Sequence, residues 1–84
     1  GQVWQALENV ATVVRAAGGE ATHIVRLTWY VVDRKEYEGR RREIGEAYRS
    51  VMGRHYPAMS LVIVAGLLEP LALVEIEATA VIPE

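Results

Sequence analysis

Two apolar runs in the last third of the chain constrain the fold more than any other feature. Ser60 to Ala65 and Leu73 to Val81 consist mainly of Val, Ile, Leu and Ala. Gly66 and Pro70 lie between the two runs, and these residue types mark a turn or loop. The pattern predicts two consecutive β-strands that belong to a sheet.

The first third of the chain predicts a helix followed by another strand. Gly18 and Gly19 follow an apolar stripe. Glycine readily adopts the left-handed backbone conformation that often terminates a helix, so the helix is expected to end near Ala17. The stripe contains Val3, Leu7, Val10 and Val14, flanked by Ala6, Val13 and Ala17. The segment from His23 to Val32 is rich in β-branched and aromatic residues that alternate between two faces. One face is expected to carry Val25, Leu27, Trp29 and Val31, and the other Arg26, Thr28, Tyr30 and Val32.

A second helix is predicted between the first two strands. Its residues at helical spacing are Tyr37, Arg41, Ile44, Tyr48, Val51 and His55. Asp33 is suited to the N-cap position, and Pro57 lies just beyond the expected end. Gly39 and Gly45 lie inside this helix, where each costs up to about 1 kcal/mol relative to alanine. The order α-β-α-β-β predicts an α+β domain with two helices on one face of a mixed sheet.

Length and composition predict one small domain that gains from association. A chain near 84 residues buries only about 60% of its unfolded surface, so a monomer would be marginally stable. The net charge of −2 gives no electrostatic reason for a nucleic-acid partner or an anionic membrane. There is no cysteine, which excludes disulfides and thiolate catalysis. The apolar runs are too short to span a membrane, and no signal peptide is visible, so a cytoplasmic location is expected.

Glu75 and Glu77 are the polar pair most suggestive of a site. They alternate with apolar residues and therefore share one face of the last strand, opposite Val74, Ile76, Ala78 and Ala80. The two carboxylates are either solvated or line a cleft at an interface. Alternation alone favours the solvated alternative by about two to one.

The order of these segments resembles the RidA/YjgF family of small trimeric proteins, whose members hydrolyse reactive imines or enamines and have also been described as endoribonucleases. The resemblance covers essentially the whole chain and is carried by 6–10, 16–19, 24–33, Ala47-Tyr48, 56–70 and 73–80. It implies a chorismate-mutase-like protomer, a homotrimer with a small-molecule site in each inter-subunit cleft, and no cofactor. It also implies that a β-hairpin precedes the first helix and pairs beside the last strand. Residues 1–84 are therefore expected to form a single domain that lacks this hairpin.

The resemblance also assigns site residues. The family glutamate that matches Glu75 positions the hydrolytic water, so Glu75 is the expected catalytic residue. Met59, Ser60, Leu61 and Gly45 are the expected substrate-binding residues. Most active members have an arginine where this chain has Met59, and many have a cleft asparagine where it has Gly45. A thioether cannot clamp a carboxylate as a guanidinium does, so weakened deaminase activity and a more apolar or uncharged ligand are expected.

Less specific interpretations remain open for several of these residues. For a lone methionine at a strand start, a role as a flexible apolar residue that fills a gap in the packing is favoured over a functional role by about four to one. Glu77 is expected to be structural, with Arg26 as its partner on the neighbouring strand. The cluster Arg40-Arg41-Arg42 follows Glu36 and Glu38 at the spacing of intrahelical ion pairs, which favours a solvated face.

Other function classes are weaker or absent. His23 and His55 lack neighbours at metal-ligand spacing, so no metal site is predicted. No histidine pair suited to acid-base cleavage of RNA is evident, so ribonuclease action ranks below the other functions. The alternative to a small-molecule site is a non-catalytic structural or interaction trimer that has lost the pocket.

Overall fold

The computed structural model describes all 84 residues and contains three helices around one face of a three-stranded sheet. The helices are α1 (Gln2–Ala16), α2 (Arg34–Gly39) and α3 (Arg41–Met52), and the strands are β1 (Ile24–Val31), β2 (Ala58–Ile63) and β3 (Val74–Ala80). A short 3-10 turn at Ala21–His23 leads into β1. The strand order is β2-β1-β3, with β1 parallel to β2 and antiparallel to β3. The predicted α+β class with a mixed sheet is therefore confirmed.

The expected alternation along β1 is wrong at its first residues. Leu27, Trp29 and Val31 are buried, as predicted, but Val25 is 49% exposed and Ile24 is fully buried in its place. The register between β1 and β3 is irregular between Ile24 and Arg26. Such a β-bulge adds one residue to a strand and reverses the alternation on its far side.

The single second helix that the spacing predicts is in fact two helices. Asp33 caps α2 as expected, because its Oδ1 accepts a hydrogen bond of 3.0 Å from the Glu36 amide. The helix ends at Gly39, and Arg40 leaves helical geometry with φ −116° and ψ 20° before α3 begins. Glycine is a poor helix former, which accounts for a break at this point. The apolar stripe continues across the break, since both Tyr37 and Ile44 pack against the core.

The core lies between α1, α3 and one face of the sheet. Leu7, Val14, Ile24, Leu27, Trp29 and Met52 form its buried cluster. Ala11 is also buried, whereas Val13, predicted at the flank of the stripe, is 69% exposed. Gly18 after α1 has φ +91°, which glycine tolerates without strain. A Cβ on Gly19 would lie 2.7 Å from the side chain of Ile82, so glycine permits this close approach.

The opposite face of the sheet has no helix against it. In register, Thr28 lies between Ser60 on β2 and Glu77 on β3, and Tyr30 lies between Val62 and Glu75. Paired residues project to the same side of a sheet, so these six side chains form one open face. Val62 is 40% exposed there. None of the three helices is both long and apolar enough to cross a membrane.

Candidate functional site

The two residues that the sequence singled out most strongly lie on opposite faces of the sheet. Met59 is in register with Leu27, a core residue on the helix side. Glu75 is in register with Tyr30 on the open face. Their strands are also separated by β1, which lies between β2 and β3. Met59 and Glu75 therefore do not meet within one protomer.

Met59 borders a cavity of about 360 Å³ between α3, β1 and the start of β2. Four aromatic residues line it, namely Trp29, Tyr37, Tyr48 and Tyr56. Gly45 lines the cavity from α3, as do Arg41 and Arg49. Two of the four expected substrate-binding residues, Met59 and Gly45, thus lie at one site.

The other two expected substrate-binding residues are not among those lining this cavity. Ser60 is exposed and in register with Thr28, which places it on the open face of the sheet. Leu61 is in register with Trp29 and packs against the core, so it is half-buried beneath the helices. Successive residues of a strand point to opposite faces, and this separates Ser60 from its neighbours Met59 and Leu61.

Tyr48 organises the aromatic wall of the cavity. Its ring stacks on Tyr56 with centroids 5.4 Å apart and planes 11° apart, and it lies 6.4 Å from the ring of Trp29. The hydroxyl of Tyr48 donates a hydrogen bond to the backbone carbonyl of His55. Nε2 of His55 lies 2.7 Å from the carbonyl oxygen of Ile24, which ties this segment to β1. These contacts hold the loop before β2 against the helix.

The pKa of Tyr48 gives a test of this packing. Burial of the hydroxyl, with a smaller contribution from Tyr56, raises the pKa of Tyr48 above its ordinary value of 10.0. The folded protein therefore holds this proton more tightly than the unfolded chain does, and the stabilisation is complete below pH 10.0. It should be lost as the pH rises through the raised pKa. Denaturation at increasing alkaline pH should show a smaller loss of stability in Tyr48→Phe, and an unchanged loss would contradict this account.

On the open face, Glu77 binds Tyr30 rather than Arg26. The hydroxyl of Tyr30 donates a hydrogen bond of 2.9 Å to Oε1 of Glu77. This bond, followed by burial and the charges of Glu77 and Glu75, raises the pKa of Tyr30. The expected pair between Glu77 and Arg26 is absent. Arg26 and Tyr30 are each one diagonal step from Glu77 in the register, and Glu77 bonds Tyr30. Glu75 is exposed and makes no hydrogen bond or ion pair within the chain.

Arg41 and Arg49 are the cavity residues that sequence reasoning missed. The ion pair expected between Arg40 and Glu36 is present, at 3.4 Å. Arg42 is also paired, but with Glu46 at 3.9 Å rather than with Glu38. Arg41 and Arg49 make no ion pair. Their spacing could have indicated their place in the cavity wall. Arg41 and Arg49 lie four residues before and after Gly45, and residues four apart share one side of a helix.

A second cavity, of about 340 Å³, lies near the first turn of α1. Asp33, Glu36 and Glu43 line it, together with Arg40, which forms ion pairs of 3.4 Å with Glu36 and 3.8 Å with Glu43. Gly1 is also part of its wall, so the start of the chain borders this cavity. No group of three or more His, Asp or Glu side chains is arranged to hold a metal ion.

Comparisons with known proteins identify relatives of this arrangement. The model of the family described as endoribonuclease L-PSP matches residues 1–82. A solved structure of Rv2704 from Mycobacterium tuberculosis, a member of the YjgF/YER057c/UK114 family, is 35% identical, with a TM-score of 0.78. Escherichia coli TdcF, solved with bound serine, is also 35% identical with a TM-score of 0.78. RidA from an Antarctic Psychrobacter is 28% identical with a TM-score of 0.76.

The matches extend over nearly all of this chain but only part of each relative. They cover 93%, 95% and 90% of this chain, and 63%, 61% and 58% of Rv2704, TdcF and RidA respectively. The chain therefore spans less than two thirds of the length of these proteins. A comparison with curated protein sequences found no match.

Proposed function

The chain belongs to the RidA/YjgF family, also described as endoribonuclease L-PSP, and we propose that it forms a homotrimer whose inter-subunit clefts bind a small metabolite. The observation that carries this proposal is the placement of Met59 and Glu75 on opposite faces of the sheet. A site that uses both residues needs two copies of the chain. In a closed ring, the cavity of one copy meets the open face of the next at every interface.

The open face of the sheet supports association. Only one face is covered by helices, and just 9 of the 84 residues are buried. Tyr30, Val62 and Glu75 lie on the uncovered face. Both β2 and β3 are edge strands, which natural proteins usually cover or pair. A partner copy would bury this face and add to a core that is small for an independent domain.

The reaction we propose for such a cleft is slow hydrolysis of an imine or enamine. An enamine first tautomerises to its imine by gaining a proton at carbon and losing one at nitrogen. Water then adds to the carbon of the C=N bond, and the resulting carbinolamine expels ammonia to leave a carbonyl compound. Glu75 of the adjacent subunit is suited to accept the proton of the attacking water, because its carboxylate is not engaged within its own chain. No metal or cofactor is required for this chemistry.

A second candidate is a trimer that acts only as a structural or interaction module. The exposure of Glu75 favours this candidate, because an unengaged carboxylate on an open strand is also what a solvated face presents. Ribonuclease action has less support. The rings of His23 and His55 both contact backbone groups, at 2.9 Å from the Glu20 amide and 2.7 Å from the Ile24 carbonyl.

Sedimentation and a hydrolysis assay together test the proposal. Sedimentation velocity at micromolar concentration should give a trimer, and 2-iminopropionate should be converted to pyruvate and ammonia faster than in buffer. A monomer would contradict the shared cleft. A trimer without hydrolysis, and without binding of any small carboxylate or amide, would favour the interaction module.

A further inference from the structure

We propose that Gln2 is a positioning residue for Glu75, because its side-chain amide holds the backbone at the point where β3 begins. The inference rests on the proposed function, in which Glu75 accepts a proton from water, and it adds a residue on which that role depends. Gln2 acts through the backbone of β3 and not on the substrate.

Both ends of the Gln2 amide bond the segment that leads into β3. Its Oε1 accepts a hydrogen bond of 2.7 Å from the backbone N–H of Leu73, and its Nε2 donates one of 3.1 Å to the carbonyl of Leu71. A side-chain amide carries an acceptor and donors, so one residue can bond an N–H group and a carbonyl at once. The two bonds fix the backbone directly before β3, which starts at Val74.

The loop 64–73 between β2 and β3 has few other ties to the protein. Leu68, near its middle, is 100% exposed. The hydrogen bonds inside the loop all involve Glu69 and join residues no more than three positions apart. Gln2 is the only side chain outside the loop that forms a hydrogen bond with it. The end of the loop next to β3 therefore depends on Gln2 for its attachment to α1.

Glu75 depends on this part of the backbone for its position. Its carboxylate makes no hydrogen bond or ion pair within the chain, so no other side chain holds it in place. Glu75 is the second residue of β3 and follows Leu73 by two positions. Since β3 pairs with β1 alone, a shift at the start of β3 would move the Glu75 side chain as well.

The first turn of α1 gives Gln2 a fixed base. Val3 packs against the core, and Leu7 is fully buried in it. Gln2 itself is exposed, so its replacement should leave the core of the folded protein intact. A change at Gln2 is therefore expected to act on the start of β3 and not on the fold as a whole.

Steady-state kinetics of 2-iminopropionate hydrolysis by Gln2→Met test the inference. Methionine has a similar length and helix propensity but can form neither hydrogen bond to the loop. We expect kcat to fall about 10- to 100-fold, because a displacement of about 1 Å at a reacting group can cost a factor of this order. KM should stay near the unmodified value, because Gln2 does not line the cavity beside Met59. Gln2→Glu should retain more of kcat than Gln2→Met, because a carboxylate still accepts the hydrogen bond from the Leu73 amide.

Gln5→Met is the matched control, because Gln5 lies one turn further along α1 and its amide bonds Asn9 instead of the loop. It should leave kcat unchanged, and circular dichroism and sedimentation check that all variants keep their fold and assembly. Equal losses in Gln2→Met and Gln5→Met, or a loss that appears in KM instead of kcat, would overturn the inference.

The same assay separates this failure from that of the proposed function. If the unmodified protein hydrolyses the imine no faster than buffer does, the proposed function fails, and the positioning role of Gln2 fails with it. If the unmodified protein is active and Gln2→Met matches its kcat, only the positioning role is refuted.

Discussion

Trp29→Ala should lower the free energy of unfolding by about 3–5 kcal/mol, the range for removing a large aromatic side chain from a core. Trp29 is 2% exposed and lies on the central strand. Its ring contacts Tyr37 edge-on, with centroids 6.4 Å apart, and Tyr48 at the same distance. Its loss would open a void between the sheet and α3, and it would also loosen the aromatic wall of the cavity. A loss of this size is a large fraction of the stability of a small domain.

Urea denaturation followed by circular dichroism measures this effect, with all variants at equal protomer concentration because association contributes to stability. Val25→Ala is the control, since Val25 lies on the same strand and is 49% exposed. It should change the free energy of unfolding by no more than about 0.5 kcal/mol. Similar losses in the two variants would show that Trp29 is not a principal core residue.

Glu75→Gln should lower the rate of imine hydrolysis by about 10²–10⁴-fold, the usual contribution of a positioned acid or base. The amide is close in shape to the carboxylate but cannot accept the proton of the attacking water. The change should leave the protomer fold intact, because Glu75 makes no hydrogen bond or ion pair within the chain. Initial rates of ammonia release from 2-iminopropionate measure the effect, with sedimentation as the check on assembly.

Glu77→Gln is the matched control, because Glu77 lies two residues away on the same face of β3. Its carboxylate accepts the hydrogen bond from Tyr30, a bond that a glutamine oxygen can also accept. We therefore expect Glu77→Gln to leave turnover close to the unmodified rate. If both variants retain the unmodified rate, Glu75 is not catalytic, and the interaction module becomes the better account.

Much of the fold was predictable because the apolar periodicity is strong. Leu7 and Val14 in α1, and Leu27, Trp29 and Val31 in β1, are buried as their spacing predicts. The predictions that were wrong concern places where an irregular backbone departs from the regular helix or strand that the periodicity assumes. The bulge near Val25 changes the face of one residue, and a bulge of this kind has no sequence signal here. The break after Gly39 coincides with a glycine. A glycine within a helical pattern can either be tolerated inside the helix at a cost in stability or mark the end of the helix.

The site was less predictable, because its parts are brought together by tertiary structure. Periodicity placed Glu75 and Glu77 on one face. It could not show that the hydroxyl of Tyr30 would donate a hydrogen bond to the carboxylate of Glu77. Gly45 looked like the loss of a cleft side chain when considered alone. In the structure Gly45 also lies beside the guanidinium of Arg49, a neighbour in space that no pattern of residue types determines. A residue's meaning at such a site depends on its neighbours in space.

The most direct test of the shared cleft is cross-linking between chains. The protein has no cysteine, so Met59→Cys and Glu75→Cys introduce the only thiols when the two variants are co-expressed. A short bis-maleimide should join them into a covalent dimer, because in the proposed ring the cavity of one copy meets the open face of the next. Arg42→Cys co-expressed with Glu75→Cys should give no dimer, since Arg42 faces solvent on α3. Absence of the Met59–Glu75 product, or equal product from the control pair, would contradict a site formed between subunits.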